Sequence, residues 1–179
     1  MGLIGHSEGG IIALMVAAEN KDVAFIVLMA GIGITGQELL IKQQRLIGKV
    51  YGMSEEDLIK AAEINTAVMQ TIKNSEDVTG LKPKLQAQIE GLLADIPDNE
   101  LPVGVSKDKN FIAQQVELLT SPWMQYFIKY DPTETLMQVD CPVLAINGDK
   151  DLQVPAQENL AAIKKSINAG GNNDVTTQS

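Results

Sequence analysis

Near the start of the chain stands Gly5-His6-Ser7-Glu8-Gly9-Gly10, a G-x-S-x-G pattern. A serine hydroxyl becomes a nucleophile when a turn lifts it clear of its neighbours and a base stands within hydrogen-bond reach. The pattern predicts such a turn. A strand ends near Gly5, Ser7 sits at the apex in a strained conformation, and a helix leaves at once. Glycines at positions 5 and 9 are expected because strand and helix pass too closely for side chains there. The backbone N–H of Glu8 would sit at a helix N-terminus, where it can face a developing oxyanion. Ser7 is thus the candidate catalytic nucleophile, and the Glu8 amide the candidate oxyanion donor.

Five residues with two free positions recur by chance, so the flanks decide. Gly2-Leu3-Ile4 is short and apolar, as the end of a buried strand would be. Ile11 to Ala18 is a helix-forming run, apolar nearly all round, and is expected to be buried. The competing reading is a glycine turn in some other α/β protein.

The elements that must position this turn follow in order. Asp22 to Gly31 is a continuous apolar run closed by glycine, as buried parallel strands are. With the first strand and helix it forms a right-handed crossover unit. Gly31-Ile32-Gly33-Ile34-Thr35-Gly36 fits neither phosphate-loop spacing and is expected to line the mouth of the site. From Gln37 to about Val139 the pattern is helical. Ser54-Glu55-Glu56-Asp57 is a capping box, Pro83 is placed in the first turn of a helix from Leu81, and Asp95 to Asp108 reads as a loop. About 100 residues between two strands are too many for a plain crossover. They read as a helical insertion, either a separate domain or a lid over the serine, since ligands bind at the carboxyl ends of parallel strands. Pro142 to Gly148 is a third buried strand, followed by Asp149-Lys150-Asp151 and a helix from Ala156 to Ile167. The polar tail after Gly170 is expected to be frayed, with no further strand.

The 179 residues carry a net charge of −9, which argues against nucleic acid or an anionic membrane as partner. No apolar run reaches the about 18 residues of a membrane span. One Cys and one His leave no plausible metal set and no intrachain disulfide. Cys141 reads as a small buried or half-buried residue. No signal peptide is visible. That says nothing about compartment, because the start of the chain looks cut.

Taken together, the elbow, Ser121-Pro122-Trp123 and the run from Cys141 to Pro155 resemble the α/β-hydrolase superfamily over essentially the whole chain. The likeness is greatest to bacterial serine esterases and acyl hydrolases of the serine-aminopeptidase-like branch. It implies an α/β fold in which residues 1–36 and 140–179 form part of the parallel sheet and 37–139 a helical lid. It implies hydrolysis of carboxylic esters or related acyl bonds through an acyl-serine intermediate on Ser7, with a small-molecule acyl substrate and no cofactor. It places the catalytic acid at Asp151, in a G-x-x-D arrangement, with Asp149 as the competing carboxylate. It puts Trp123 over the serine as a substrate-binding residue.

The family also needs a histidine in a loop beyond one further strand after the acid. The only imidazole here is His6. Adjacent residues of a strand point to opposite faces, so His6 should turn away from the Ser7 hydroxyl and pack as support for the turn. The expected protein is therefore the carboxyl-side part of such an enzyme, incomplete as a catalyst. The alternatives are an aminopeptidase or amidase of the same fold, a non-catalytic fragment, or one half of a split enzyme. Three parallel strands with open edges lead us to expect self-association, pairing with a complementary chain, or a partly molten isolated chain.

Overall fold

The computed structural model describes residues 1–76, 78–102 and 104–179. The chain divides into two compact units, one of residues 1–43 with 131–179 and one of residues 44–130.

The first unit is built on a parallel sheet of four strands in the order β1 (Gly2–His6), β2 (Phe25–Met29), β3 (Val143–Ile146) and β4 (Val175–Gln178). All three pairings are parallel. Two helices pack on this sheet: α1 (Glu8–Glu19) against β1 and β2, and the helix Ala156–Ala169 against β3 and β4. Alternation along each strand sends Ile26, Leu28, Val143, Ala145 and Val175 to the helix side, where they are buried. There they meet Ala13, Leu14 and Ala17 of α1, and Leu160, Ile163 and Ile167 of the carboxyl-side helix. A fully buried Leu or Ile contributes about 1.5–3 kcal/mol, so this one layer carries most of the unit's hydrophobic stabilisation.

The opposite face of the sheet is bare. Ile4, Phe25, Met29 and Leu144 are exposed there, although they belong to strands that read as buried on both sides. Among the described residues no helix contacts the strands on that side, since α1 and the carboxyl-side helix are the helices in contact with the sheet.

Several sequence expectations need correction. The tail is not frayed: β4 is a fourth strand, with Val143 N–H donating to the Asp174 carbonyl and Asn147 N–H to that of Gln178. It escapes detection because Val175-Thr176-Thr177-Gln178 holds one apolar residue, and an edge strand covered on one face needs no more. Nor is α1 buried all round. Ile12 and Val16 are exposed, because the helix lies on the sheet with one side only. The glycine loop after β2 is expected at the mouth of a site, but its first three residues are packed inside the unit. Gly31, Ile32 and Gly33 are buried, and a Cβ at Gly33 would stand 2.4 Å from the Asn159 carbonyl oxygen. The glycine is there so that the loop can lie against the carboxyl-side helix. The Asn159 side chain, fully buried, accepts from Gly33 N–H at 2.9 Å and donates to the Pro155 carbonyl.

The remaining helices in chain order are α2 (Gly36–Val50), α3 (Glu55–Lys73), α4 (Val78–Ala94), α5 (Lys109–Leu119), α6 (Pro122–Lys129) and α7 (Thr133–Met137), with Ala156–Ala169 as α8. In the unit of residues 44–130, α3 packs on α4 and α6, and α5 on α4 and α6. Leu58, Met69, Ile72, Leu81, Leu85, Ile112, Val116 and Ile128 are buried there. The predicted cap is present: Ser54 Oγ accepts from Asp57 N–H at 3.1 Å and starts α3. Helix α4 begins at Val78, earlier than expected, so Pro83 falls inside it rather than in its first turn. The expected loop from Asp95 to Asp108 contains a short 3-10 turn, Asp98–Glu100, and Val103 of that stretch lies outside the described residues.

Candidate functional site

Ser7 lies between β1 and α1 with φ 52° and ψ −117°, a region that L-residues with side chains rarely adopt. Two contacts hold it there. Its N–H donates to the Met29 carbonyl at 2.9 Å, which ties the turn to the end of β2. Its own carbonyl accepts from Gly10 N–H at 2.8 Å, which starts α1 directly beneath it. The expected strained turn is thus present.

The two glycines of the pattern have unequal roles. A Cβ at Gly5 would stand 2.2 Å from the Gly9 carbonyl oxygen and 2.7 Å from Gly10 Cα. A Cβ at Gly9 would meet nothing within 4 Å. The expectation that both sites are crowded is therefore right for Gly5 and wrong for Gly9. The helix presents its backbone, not the position-9 side-chain direction, to the strand.

Glu8 is the first residue of α1, which places its amide at the helix N-terminus. The Ser7 amide is already committed to Met29, so the Glu8 amide is the one adjoining Ser7 on the helix side.

Asp151 follows β3 on a tight loop, with its N–H donating to the Gly148 carbonyl at 3.0 Å. One carboxylate oxygen, Oδ1, accepts from Gln153 N–H at 2.8 Å and Val154 N–H at 3.0 Å. Those two bonds fix the carboxylate's orientation and leave Oδ2 for a further donor. Asp149 is exposed, and no hydrogen bond to its side chain is seen among the described residues. Of the two carboxylates, Asp151 is the one held in place.

Asn147 is a residue that sequence reasoning missed. It is buried, donates through Nδ2 to the Val154 carbonyl at 2.7 Å, and accepts at Oδ1 from Gly148 N–H at 2.9 Å. It therefore closes the loop that carries Asp151. The only signal was Asn-Gly at the end of an apolar run, which announces a turn but not a buried side chain.

His6 departs from its expected role. It is exposed, not packed, and no hydrogen bond of its imidazole is seen among the described residues. It does project to the sheet face opposite Gly5, as alternation requires. An open cavity of about 430 Å³ lies at the carboxyl ends of the strands, lined by His6, Met29, Ile146, Asn147, Asp151 and Gln178 among others. His6 and Asp151 thus border one cavity, and Ser7 is not among the residues lining it.

Trp123 belongs to the other unit. Ser121 Oγ accepts from Met124 N–H at 3.3 Å and caps α6, with Pro122 as its first residue. The indole is half exposed and stacks on Phe127 at a centroid distance of 5.1 Å.

Elsewhere in the sheet unit, the hydrogen bond from Lys42 holds the Glu158 carboxyl below its ordinary range (Nζ to Oε1 2.8 Å), and burial pushes the Cys141 thiol up. Cys141 is half-buried, as expected. Among the described residues no group of three or more His, Cys, Asp or Glu is placed to hold a metal ion, and no helix is long and apolar enough to cross a membrane.

Solved structures similar to this chain include an alpha/beta fold family hydrolase from Bacillus anthracis, at 18% identity and TM-score 0.45 over 99% of this chain and 58% of that one. Homoserine O-acetyltransferase from Bacillus anthracis matches at 16% identity and TM-score 0.43, over 99% of this chain and 53% of its own. Proline iminopeptidase from Mycobacterium smegmatis matches at 14% identity and TM-score 0.43, over 98% and 55%. The chain therefore spans little more than half the length of these proteins. No curated protein matches the sequence. A family model described as alpha/beta hydrolase fold matches residues 1–174, and the chain belongs to that family.

Proposed function

We propose that this chain carries the nucleophile and the acid of a serine hydrolase that cleaves carboxylic esters or related acyl bonds. The observation that supports it best is the backbone of Ser7, held at φ 52° by Met29 and Gly10 at the top of a parallel strand. Such strain is kept where it serves chemistry. Ser7 Oγ attacks the acyl carbonyl and the Glu8 N–H stabilises the tetrahedral oxyanion; its collapse breaks the ester C–O bond, the alcohol leaves with the proton taken from the serine, and the acyl-serine that remains is hydrolysed by water. Asp151, with Oδ1 anchored and Oδ2 available, orients the imidazole that takes the serine proton. His6 is not that imidazole, because alternation along β1 turns it from the hydroxyl. The base is supplied by residues other than these 179. Trp123 is assigned to substrate binding on its half-exposed indole, and its fluorescence is expected to change on saturation with an acyl phosphonate.

The test supplies the missing base from solution. The chain is incubated with a nitrophenyl butyrate, with and without free imidazole, and the protein is digested and weighed. Without imidazole, no Ser7-dependent turnover above background is expected. With it, a butyryl adduct should form on Ser7, vanish in Ser7→Ala and fall in Asp151→Asn, while Asp149→Asn stays as wild type. An adduct on other residues only, or one unaffected by Ser7→Ala, overturns the assignment.

A further inference from the structure

Asn147 is the one asparagine of the chain that a glycine follows, and both polar atoms of its side chain are in use. Nδ2 donates to the Val154 carbonyl at 2.7 Å, and Oδ1 accepts from Gly148 N–H at 2.9 Å. The second bond sets the Gly148 nitrogen beside the Asn147 amide, and that pair has a chemistry of its own. Once the nitrogen has given its proton to solvent, it can attack Asn147 Cγ. A new N–C bond closes a cyclic imide, the Cγ–Nδ2 bond breaks, and ammonia leaves. Water then opens the ring at one carbonyl or the other, giving Asp or isoaspartate. Glycine suits the step because no Cβ crowds the attacking nitrogen.

The fold holds these reactants together but out of line. A donor to a carbonyl oxygen lies near the plane of that carbonyl, whereas attack on Cγ comes from above the plane. The Gly148 N–H is engaged by Oδ1, and the bond to Val154 keeps the amide from turning. Asn147 is only 8% exposed, and its own N–H donates to the Gln178 carbonyl at 3.0 Å. The loop of residues 147–154 closes on itself: Asn147 Nδ2 donates to Val154, Val154 N–H to Asp151 Oδ1, and Asp151 N–H to Gly148.

We propose that Asn147-Gly148 is a self-modification site gated by this loop. While the loop is closed, ring formation is blocked. When it opens, the Asn147 amide turns, cyclises with loss of ammonia, and is hydrolysed to Asp or isoaspartate. The change is one-way. A carboxylate at position 147 has no N–H to offer the Val154 carbonyl, and closing the loop would bury its charge against that oxygen. Isoaspartate also adds a methylene to the main chain where the Asn147 N–H pairs with β4. The product therefore leaves the loop open, and the Asp151 carboxylate loses the amides that hold it. The modification is independent of the serine chemistry, and Ser7→Ala is expected to convert as wild type does. That conversion unseats the catalytic acid rests on the function proposed above.

The test incubates the 179-residue chain at neutral pH beside a free peptide of residues 143–152. Conversion is followed by mass after digestion, with Asp and isoaspartate resolved by chromatography. Asn147 should convert about 10-fold or more slowly in the chain than in the peptide. The ratio should match the protection of the Val154 amide against hydrogen exchange, since both report the same local opening. In mild urea the two rates should rise together, a reading that needs no variant. Asp151→Ala removes the anchor of Val154 and should speed conversion by roughly 5-fold or more, the effect of one lost hydrogen bond to a charged group. Gly148→Ala should slow it on the order of 10-fold, because the methyl crowds the nitrogen. A Cβ at Gly148 meets nothing within 4 Å, so that variant keeps the fold. Circular dichroism verifies that both variants are folded. Converted chains, separated from the rest, should show a Val154 amide without protection. Conversion at the peptide's rate, conversion that does not follow Val154 exchange, or equal rates in wild type and either variant overturns the proposal. So does a converted chain whose Val154 amide stays protected, which would make the change silent.

Discussion

At Gly5 and Ser7 the backbone makes opposite demands, and each can be tested by one substitution. A methyl at Gly5 would be driven into the Gly9 carbonyl at 2.2 Å, against backbone that cannot yield. Gly5→Ala should cost about 3 kcal/mol, the upper end for overpacking, and lower the melting temperature by about 6–12 °C for a chain of this size. Gly9→Ala meets nothing and removes a glycine from a helix, so it should raise stability by about 0.5 kcal/mol. Equal losses at both positions would refute the asymmetry. Ser7 is strained where Gly5 is crowded. Its positive φ costs on the order of 1–3 kcal/mol, against which glycine forfeits about 0.5–1 kcal/mol of backbone entropy. Ser7→Gly should therefore stabilise the fold by about 1 kcal/mol in denaturant titration while removing the proposed nucleophile. An unchanged or lower midpoint would mean that the turn is not strained. The serine was legible from its glycine spacing together with the apolar strand and helix patterns that flank it. The preference for Asp151 over Asp149 came from the family resemblance, and local pattern does not record what distinguishes the two in the fold, namely that the Gln153 and Val154 amides reach the Asp151 carboxylate. His6 was read half correctly. Alternation gave its direction, but its exposure depends on whether anything covers that face, and no residue of β1 records this.

Among the elements, β1, β2 and β3 were readable because their inward residues are continuous and apolar. The strand β4 was not, since only Val175 and Thr177 point inward and its outward residues are Thr176 and Gln178. What makes it a strand is the row of unpaired groups on β3, a long-range cause invisible to local pattern. Helix α1 was misjudged as buried for the matching reason: periodicity reports how apolar a helix is, not how many neighbours it has. The strand β4 gives the element-scale prediction. The amides of Val143 and Asn147 donate to the carbonyls of Asp174 and Gln178. In native-state hydrogen exchange they should be protected to the level of the other β3 amides, and they should lose that protection when residues 174–179 are removed. Exchange at the rate of the exposed Asp149–Lys150 loop in the intact chain would return the tail to a frayed segment.

For the whole molecule, the charge of −9 bears on stability. Like charges held together in a folded chain repel one another, and mobile ions screen that repulsion, over about 30 Å at 0.01 M salt and about 10 Å at 0.1 M. The ion pairs that oppose it, such as Lys21 with Asp140 and Lys42 with Glu158, lie at the surface and contribute little each, so salt has little attraction to weaken. The folded chain should therefore gain stability as salt rises through this range. The measurement is the urea midpoint at the two salt concentrations, since urea adds no charge of its own. A higher midpoint at 0.1 M fits a fold that works against its own net charge. A lower midpoint would mean that the surface ion pairs outweigh the repulsion.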